Sequence, residues 1–68
     1  MLKEAFESAA PYISNFKEIR RFVEENEGKN LDEVIKLIEK RIDESDTTLS
    51  TDYRILLNEL RKMINTGL

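Results

Sequence analysis

The sequence predicts an all-α fold, an up-down-up bundle of three helices in one small domain of 68 residues. Apolar residues recur at steps of three and four along the chain, and Gly28 and Gly67 stand where helices are expected to stop. Helices are therefore expected over residues 2–27, 31–44 and 51–65, with no strand. Because the connections are short, successive helices should be antiparallel neighbours.

The first helix is expected to be long, and Pro11 lies inside it. Its apolar seam consists of Leu2, Ala5, Ala9, Tyr12, Phe16, Ile19 and Val23. Since this seam keeps its phase across Pro11, the sequence favours one helix that is kinked there. The alternative is an N-cap at Ser8 with Pro11 in the first turn, which would leave residues 1–7 as a separate short helix or a frayed arm. Either form should end at Gly28.

Capping residues mark the starts of the other two helices. Asn30 is a suitable N-cap for the second helix, and Glu33 three residues later completes a capping-box pattern. Residues 46–49 are expected to form a loop, after which Ser50 or Thr51 would cap the third helix. The core should centre on one large apolar residue from each helix, namely Phe16, Ile38 and Leu60.

Helix lengths point to a partner-binding surface at the N-terminus. Residues 11–27 would span about 25 Å, which matches the other two helices. Residues 1–10 are then surplus to the bundle, although they are apolar enough to need covering. They either fold back as a fourth short helix or pack on another molecule. We expect the second, with a partner helix or a second copy of the chain, most simply in a homodimer. The residues assigned to this partner surface are Leu2, Phe6, Ala9 and Ile13, together with the outward-facing Ile55.

Composition argues against enzymatic and metal chemistry. The chain has no Cys and no His, which removes thiolate ligands, the commonest metal ligand and the commonest general base. Four carboxylates surround the second loop: Asp43, Glu44, Asp46 and Asp52. A calcium loop starting at Asp43 would need Gly and Glu where Thr48 and Arg54 stand. These carboxylates are therefore expected to be a solvated helix end and a first turn, and the chain to be a non-enzyme without cofactor or metal.

Charge and hydropathy predict a protein without membrane contact. Apolar residues make up 40% of the chain and charged residues 37%, and no apolar run approaches the roughly 18 residues of a membrane span. Glu4 and Glu7 stand where a signal peptide would be apolar. We therefore expect a cytoplasmic protein with no membrane contact. The leading interpretation is a non-enzymatic protein–protein interaction module, such as a small adaptor, inhibitor or assembly protein.

A local basic patch supports an alternative function. Three cations share a face of the first helix at helical spacing: Lys17, Arg20 and Arg21. Since the net charge is −3, ion pairs such as Arg20 with Glu24 are the simpler interpretation. The alternative is a nucleic-acid-associated regulator or packaging factor that uses the patch to contact phosphates.

The C-terminal half of the chain shows one resemblance to a known family. The succession of Leu31–Ile42, a loop and Tyr53–Ile64 resembles the helical hairpins of phage small terminase subunits. It covers about half of the chain and contains no diagnostic motif. The N-terminal half lacks the DNA-binding helix-turn-helix that such subunits often carry. The resemblance implies an origin in a phage or mobile element for the alternative function.

Overall fold

The computed structural model describes residues 1–66, and these form four α-helices with no strand among them. A short 3-10 helix, Ala10–Tyr12, follows the first α-helix. The α-helices are α1 Leu2–Ala9, α2 Phe16–Asn26, α3 Leu31–Glu44 and α4 Thr47–Thr66. The all-α class is confirmed, but the count of three helices is wrong. The expected stop at Gly67 lies outside the described residues.

The predicted long first helix is divided in two. Pro11 lies in the 3-10 helix, and Ile13 has an extended backbone with φ −94° and ψ 130°. Proline has no N–H to donate and its ring clashes with the carbonyl four residues earlier, so the α-helical ladder does not continue through it. The alternative with a separate N-terminal helix is closer to the structure. However, Ser8 lies inside α1, and α2 begins only at Phe16.

A buried carboxylate from α4 holds this break in place. Asp52 is only 1% exposed, and its two oxygens accept hydrogen bonds from the backbone N–H groups of Ser14 and Asn15, at 2.9 and 2.7 Å. The Asn15 side-chain amide donates a third bond at 2.9 Å. The expectation that Asp52 is a solvated first-turn residue is wrong. Its carboxylate instead satisfies donors at the start of α2, 37 and 38 residues away along the chain.

The turn between α3 and α4 is shorter than predicted. Asp46 accepts a hydrogen bond from the Leu49 N–H at 2.9 Å, so it caps α4 and leaves only residues 45 and 46 outside the two helices. Asp is as good an N-cap as Ser, which explains how α4 begins before Ser50. The Ser50 hydroxyl, expected to cap α4, instead donates back to the Ile42 carbonyl of α3.

The connection from α2 to α3 agrees with the sequence. Gly28 has φ +89°, a left-handed conformation that favours glycine, and α2 ends just before it at Asn26. The side chain of Asn30 accepts a hydrogen bond from the Asp32 N–H at 2.8 Å. The boundaries of α3 are those predicted.

The core lies where α1, α2 and α3 pack on α4. Ile38 and Leu60 are fully buried, as predicted, but Phe16 is 42% exposed and does not belong to the centre. Because the break turns α2 relative to α1, Ile19 and Phe22 take its place. The buried apolar residues are Leu2, Ala5, Phe6, Ala9, Ile19, Phe22, Val23, Val34, Ile38, Tyr53, Leu56, Leu57 and Leu60.

The burial of α1 corrects the prediction of a surplus N-terminus. Leu2, Phe6 and Ala9 are all buried against the same chain, so α1 is a fourth piece of the core. Burying them needs no partner because α1 lies along α4. Among residues 1–66, no helix combines the length and apolar character needed to cross a membrane.

Candidate protein-binding groove

An apolar recess on the described residues forms a groove between α1 and α2. Its volume is about 630 Å³. It is lined by Lys3, Phe6, Glu7, Ala10, Phe16, Arg20, Val23, Glu24 and Glu27. The two walls come from consecutive helices whose separation is set by the break that Asp52 holds. A concave surface of this size, which combines four apolar side chains with five charged ones, is suited to bind another molecule.

Two phenylalanine rings form the centre of the groove. The rings of Phe6 and Phe16 are 5.1 Å apart between centroids and tilted by 46°. Phe6 is 8% exposed and forms the floor, whereas Phe16 is 42% exposed and has much of its ring in solvent. Such an exposed ring beside a recess can contribute a large apolar area to an interface.

The rim of the groove carries charges of both signs. Lys3 and Arg20 are the cations, and the carboxylates are Glu7, Glu24 and Glu27. Arg20 Nε lies 3.3 Å from Glu24 Oε2 in an exposed ion pair, which confirms the pair expected from the sequence. Pairs of this kind contribute little to stability, so both groups remain free to reorient toward a bound partner.

The predicted partner residues do not form one surface. Leu2 and Ala9 are buried, and of the five assigned residues Phe6 is the one that lines the groove. Ile55 is half-buried in a shallower recess of about 530 Å³, where it meets Tyr12. Tyr12 was expected in the core but is 70% exposed. Ile13 is half-buried and packs against the core.

The three residues of the predicted basic patch are exposed, but they do not all line the groove. Lys17, Arg20 and Arg21 all lie at the surface of α2. Arg20 lines the groove and pairs with Glu24, whereas the other two do not line it. The local charge is thus less basic than the three residues alone suggest.

A second polar cluster ties α3 to α2 and α4. Arg41 Nη1 donates to the Tyr53 hydroxyl at 3.1 Å, and the guanidinium lies 5.3 Å from the Phe22 ring centroid. The Phe22 and Tyr53 rings meet edge to face, with centroids 5.3 Å apart. Burial raises the pKa of Tyr53, although the Arg41 charge acts against this. The arrangement is that of a packing cluster.

The carboxylates near the α3–α4 turn are used separately. Asp46 caps α4 and Asp52 caps the start of α2. Within residues 1–66, no three acidic side chains come together where they could hold a metal ion.

Sequence reasoning missed the groove because it treated α1 and α2 as one helix. Glu27 had no assigned role, and Phe16 was assigned to the core. The signal that could have found the groove is Pro11, which ends the first helix and lets α2 fold beside α1.

The fold and the groove define a small all-α protein with an apolar recess between its first two helices. A family model matches residues 1–65, and the chain belongs to the MJ1579 family. This match spans α1 and nearly all of α4, so α1 is part of the family domain and not an appendage. No curated protein and no solved structure shows a significant match to the chain.

Proposed function

We propose that this protein is a non-enzymatic protein–protein interaction module that binds an apolar helical segment in the α1–α2 groove. The observation that carries the proposal is the exposed Phe16 ring beside Phe6, at the centre of a groove of about 630 Å³. An aromatic ring left in solvent next to a recess is a feature that a partner would cover.

The shape of the groove favours a helix as the partner. Its walls present residues 3, 6 and 7 of α1 with Ala10 directly after it, and residues 16, 20, 23, 24 and 27 on the α2 side, which is the spacing of a helix seam. A third helix lying between them would pack as in a helical bundle. Because α2 has 11 residues, about 16 Å, the partner segment should be about three turns long.

The binding energy would come from apolar side chains and not from the charged rim. Leucine, methionine or phenylalanine anchors of the partner would cover Phe16 and reach the Phe6 floor. Exposed ion pairs typically contribute below about 1 kcal/mol each. The rim would therefore fix the orientation of the partner more than the affinity.

A titration followed by amide NMR tests this proposal. The probe is a synthetic amphipathic peptide of about three turns, with leucines on one face, and the control peptide has alanines in their place. We expect the leucine peptide to shift the amides of Phe6, Ala10, Phe16 and Val23, and the alanine peptide to shift none. Absence of shifts with both peptides, or shifts centred on Ile55, would contradict the proposal.

A pair of matched variants links the binding to the groove. Phe16→Glu places a charge at the groove centre, whereas Tyr12→Glu changes an exposed aromatic residue that does not line it. We expect the first variant to lose the peptide and the second to retain it, with both helical by circular dichroism. Equal loss in the two variants would show that the groove is not the binding surface.

The nucleic-acid alternative has less support. The Arg20 guanidinium is already paired with Glu24, and Glu18 and Glu25 lie on the same helix. We expect the protein to bind neither DNA nor RNA at physiological salt. Tight, salt-dependent binding in a mobility-shift assay that is lost in R20E/R21E would favour the alternative over the interaction module.

A further inference from the structure

We infer that the helix bound in the α1–α2 groove is basic, with lysine or arginine residues on both sides of its apolar face. The inference rests on the proposed function, because it takes the groove to be a binding surface for a helix. It adds the chemical class of the partner, which the apolar contacts alone leave open.

The rim of the groove carries more carboxylates than cations. Three glutamates line it, one on α1 and two on the α2 side, against Lys3 and Arg20. The Arg20 charge is already offset by Glu24, whose carboxylate lies 3.3 Å away. Within residues 1–66, Glu7 and Glu27 form no ion pair, and Lys3 is the remaining rim cation against these two carboxylates. Each wall therefore presents a carboxylate that a cation of the partner can neutralise.

The helix ends beside these carboxylates add to the negative potential. The carboxyl end of an α-helix carries about half a negative charge, which a lysine or arginine in the last turn offsets where there is one. Neither α1 nor α2 has a cation in its last turn. Glu7 instead lies in the last turn of α1, and Glu27 directly follows α2. Both walls thus place a carboxylate where the helix is already negative.

The positive end of α2 does not compensate for this. The N–H groups of Ser14 and Asn15, directly before α2, donate to the buried Asp52 carboxylate. A negative charge at this end of a helix offsets its positive pole. What remains of the α2 field is that of its carboxyl end, where Glu24 and Glu27 lie.

These charges favour one kind of amphipathic helix over another. An acidic helix would bring its own carboxylates against Glu7 and Glu27, whereas a basic helix pairs with both while its apolar face covers Phe16. The methylene stems of lysine and arginine also pack along the apolar edges of a groove while their charges stay in water. The apolar contacts then supply the affinity, and the rim selects the partner.

Two peptides with the same leucine face test the sign of the partner. Each is about three turns long, and the flanking positions are lysines in one and glutamates in the other. In calorimetric titrations at low salt, we expect the lysine peptide to bind about tenfold more tightly, because exposed pairs replace repulsions on both walls. The difference should shrink when about 1 M salt shortens the screening length to about 3 Å. Equal binding of the two peptides, or tighter binding of the glutamate peptide, would overturn the inference.

Matched charge reversals locate the preference in the groove. Glu27→Lys alters a carboxylate that lines it, and Glu25→Lys makes the same change of net charge at an exposed residue of α2 that does not line it. Both variants should remain helical by circular dichroism, because a lysine near the carboxyl end of a helix is favourable.

We expect Glu27→Lys to remove most of the preference for the lysine peptide and Glu25→Lys to retain it. Glu7→Lys, on the other wall, is the second variant and should act as Glu27→Lys does. An equal loss in Glu25→Lys and Glu27→Lys would mean that the preference follows the net charge of the protein, and would overturn the inference.

Failure of this inference and failure of the interaction module can be told apart. If both peptides bind equally and shift the amides of Phe16 and Ala10, the groove binds helices without selecting basic ones, and only the inference falls. If neither peptide shifts these amides, the groove does not bind a helix, and both proposals fall.

Discussion

The two halves of this molecule are built by different means. In the α3–α4 half, Asn30 and Asp46 cap their own helices through bonds to residues two and three positions away. In the α1–α2 half, the two N–H groups directly before α2 donate to Asp52, which is 37 and 38 residues away from them. The local half is joined by a turn of two residues, Ser45 and Asp46. The other half depends on a contact from a distant helix and leaves a groove beside an exposed aromatic ring.

This difference indicates which half of the molecule depends more on a contact from a distant residue. The α3–α4 hairpin holds much of the core and its own turn, whereas the break between α1 and α2 is held by one carboxylate from α4. The groove lies in the half with the weaker local constraints.

The largest expected effect comes from a residue that serves both halves. Leu60 of α4 is fully buried in the core that all four helices share, so Leu60→Ala should lower the free energy of unfolding by about 2–5 kcal/mol. Phe16→Ala is the matched comparison, and it should cost clearly less because Phe16 is 42% exposed. Urea unfolding followed by circular dichroism measures both. Equal losses would mean that Phe16 is as much a core residue as Leu60.

Asp52→Ala should destabilise the α1–α2 half more than the α3–α4 half. The change leaves the Ser14 and Asn15 N–H groups without their acceptor, at a cost of about 3 kcal/mol. Asp52→Asn keeps one carbonyl acceptor and should cost less. In Asp52→Ala, amide hydrogen exchange followed by NMR should accelerate, relative to the unmodified protein, more at residues 14–16 than in α3. Uniform acceleration along the whole chain would contradict an anchor that acts on the α1–α2 half.

The sequence predicts the local half almost completely and the other half only in part. Asn30 and Gly28 are correctly assigned because helix caps and stops depend on near neighbours. The prediction of one kinked first helix was wrong because the apolar seam from Leu2 to Val23 keeps its phase whether or not the helix is interrupted. Nothing near Ser14 in the sequence shows that Asp52 will bind there. The groove could not be predicted for the same reason, since it exists only once α2 folds beside α1.

The smallest expected effect concerns Tyr53, which joins the two halves through Phe22 of α2 and Arg41 of α3. Burial disfavours the charged phenolate and raises the pKa of Tyr53 above its ordinary value of 10.0. Above that pH the unfolded chain loses this proton while the folded chain keeps it. The contribution of the neutral phenol is therefore complete below about pH 10, and it is lost as the pH rises through the folded pKa.

Tyr53→Phe tests this contribution directly. The variant cannot ionise at this position, so its unfolding free energy should fall less steeply above about pH 10 than that of the unmodified protein. At neutral pH it should lose only the hydrogen bond to Arg41, about 1 kcal/mol. Tyr12→Phe is the matched comparison, since it removes the hydroxyl of a tyrosine that is 70% exposed. The same slope in the unmodified protein and in Tyr53→Phe would mean that a different group limits alkaline stability, and that Tyr53 joins the two halves by packing alone.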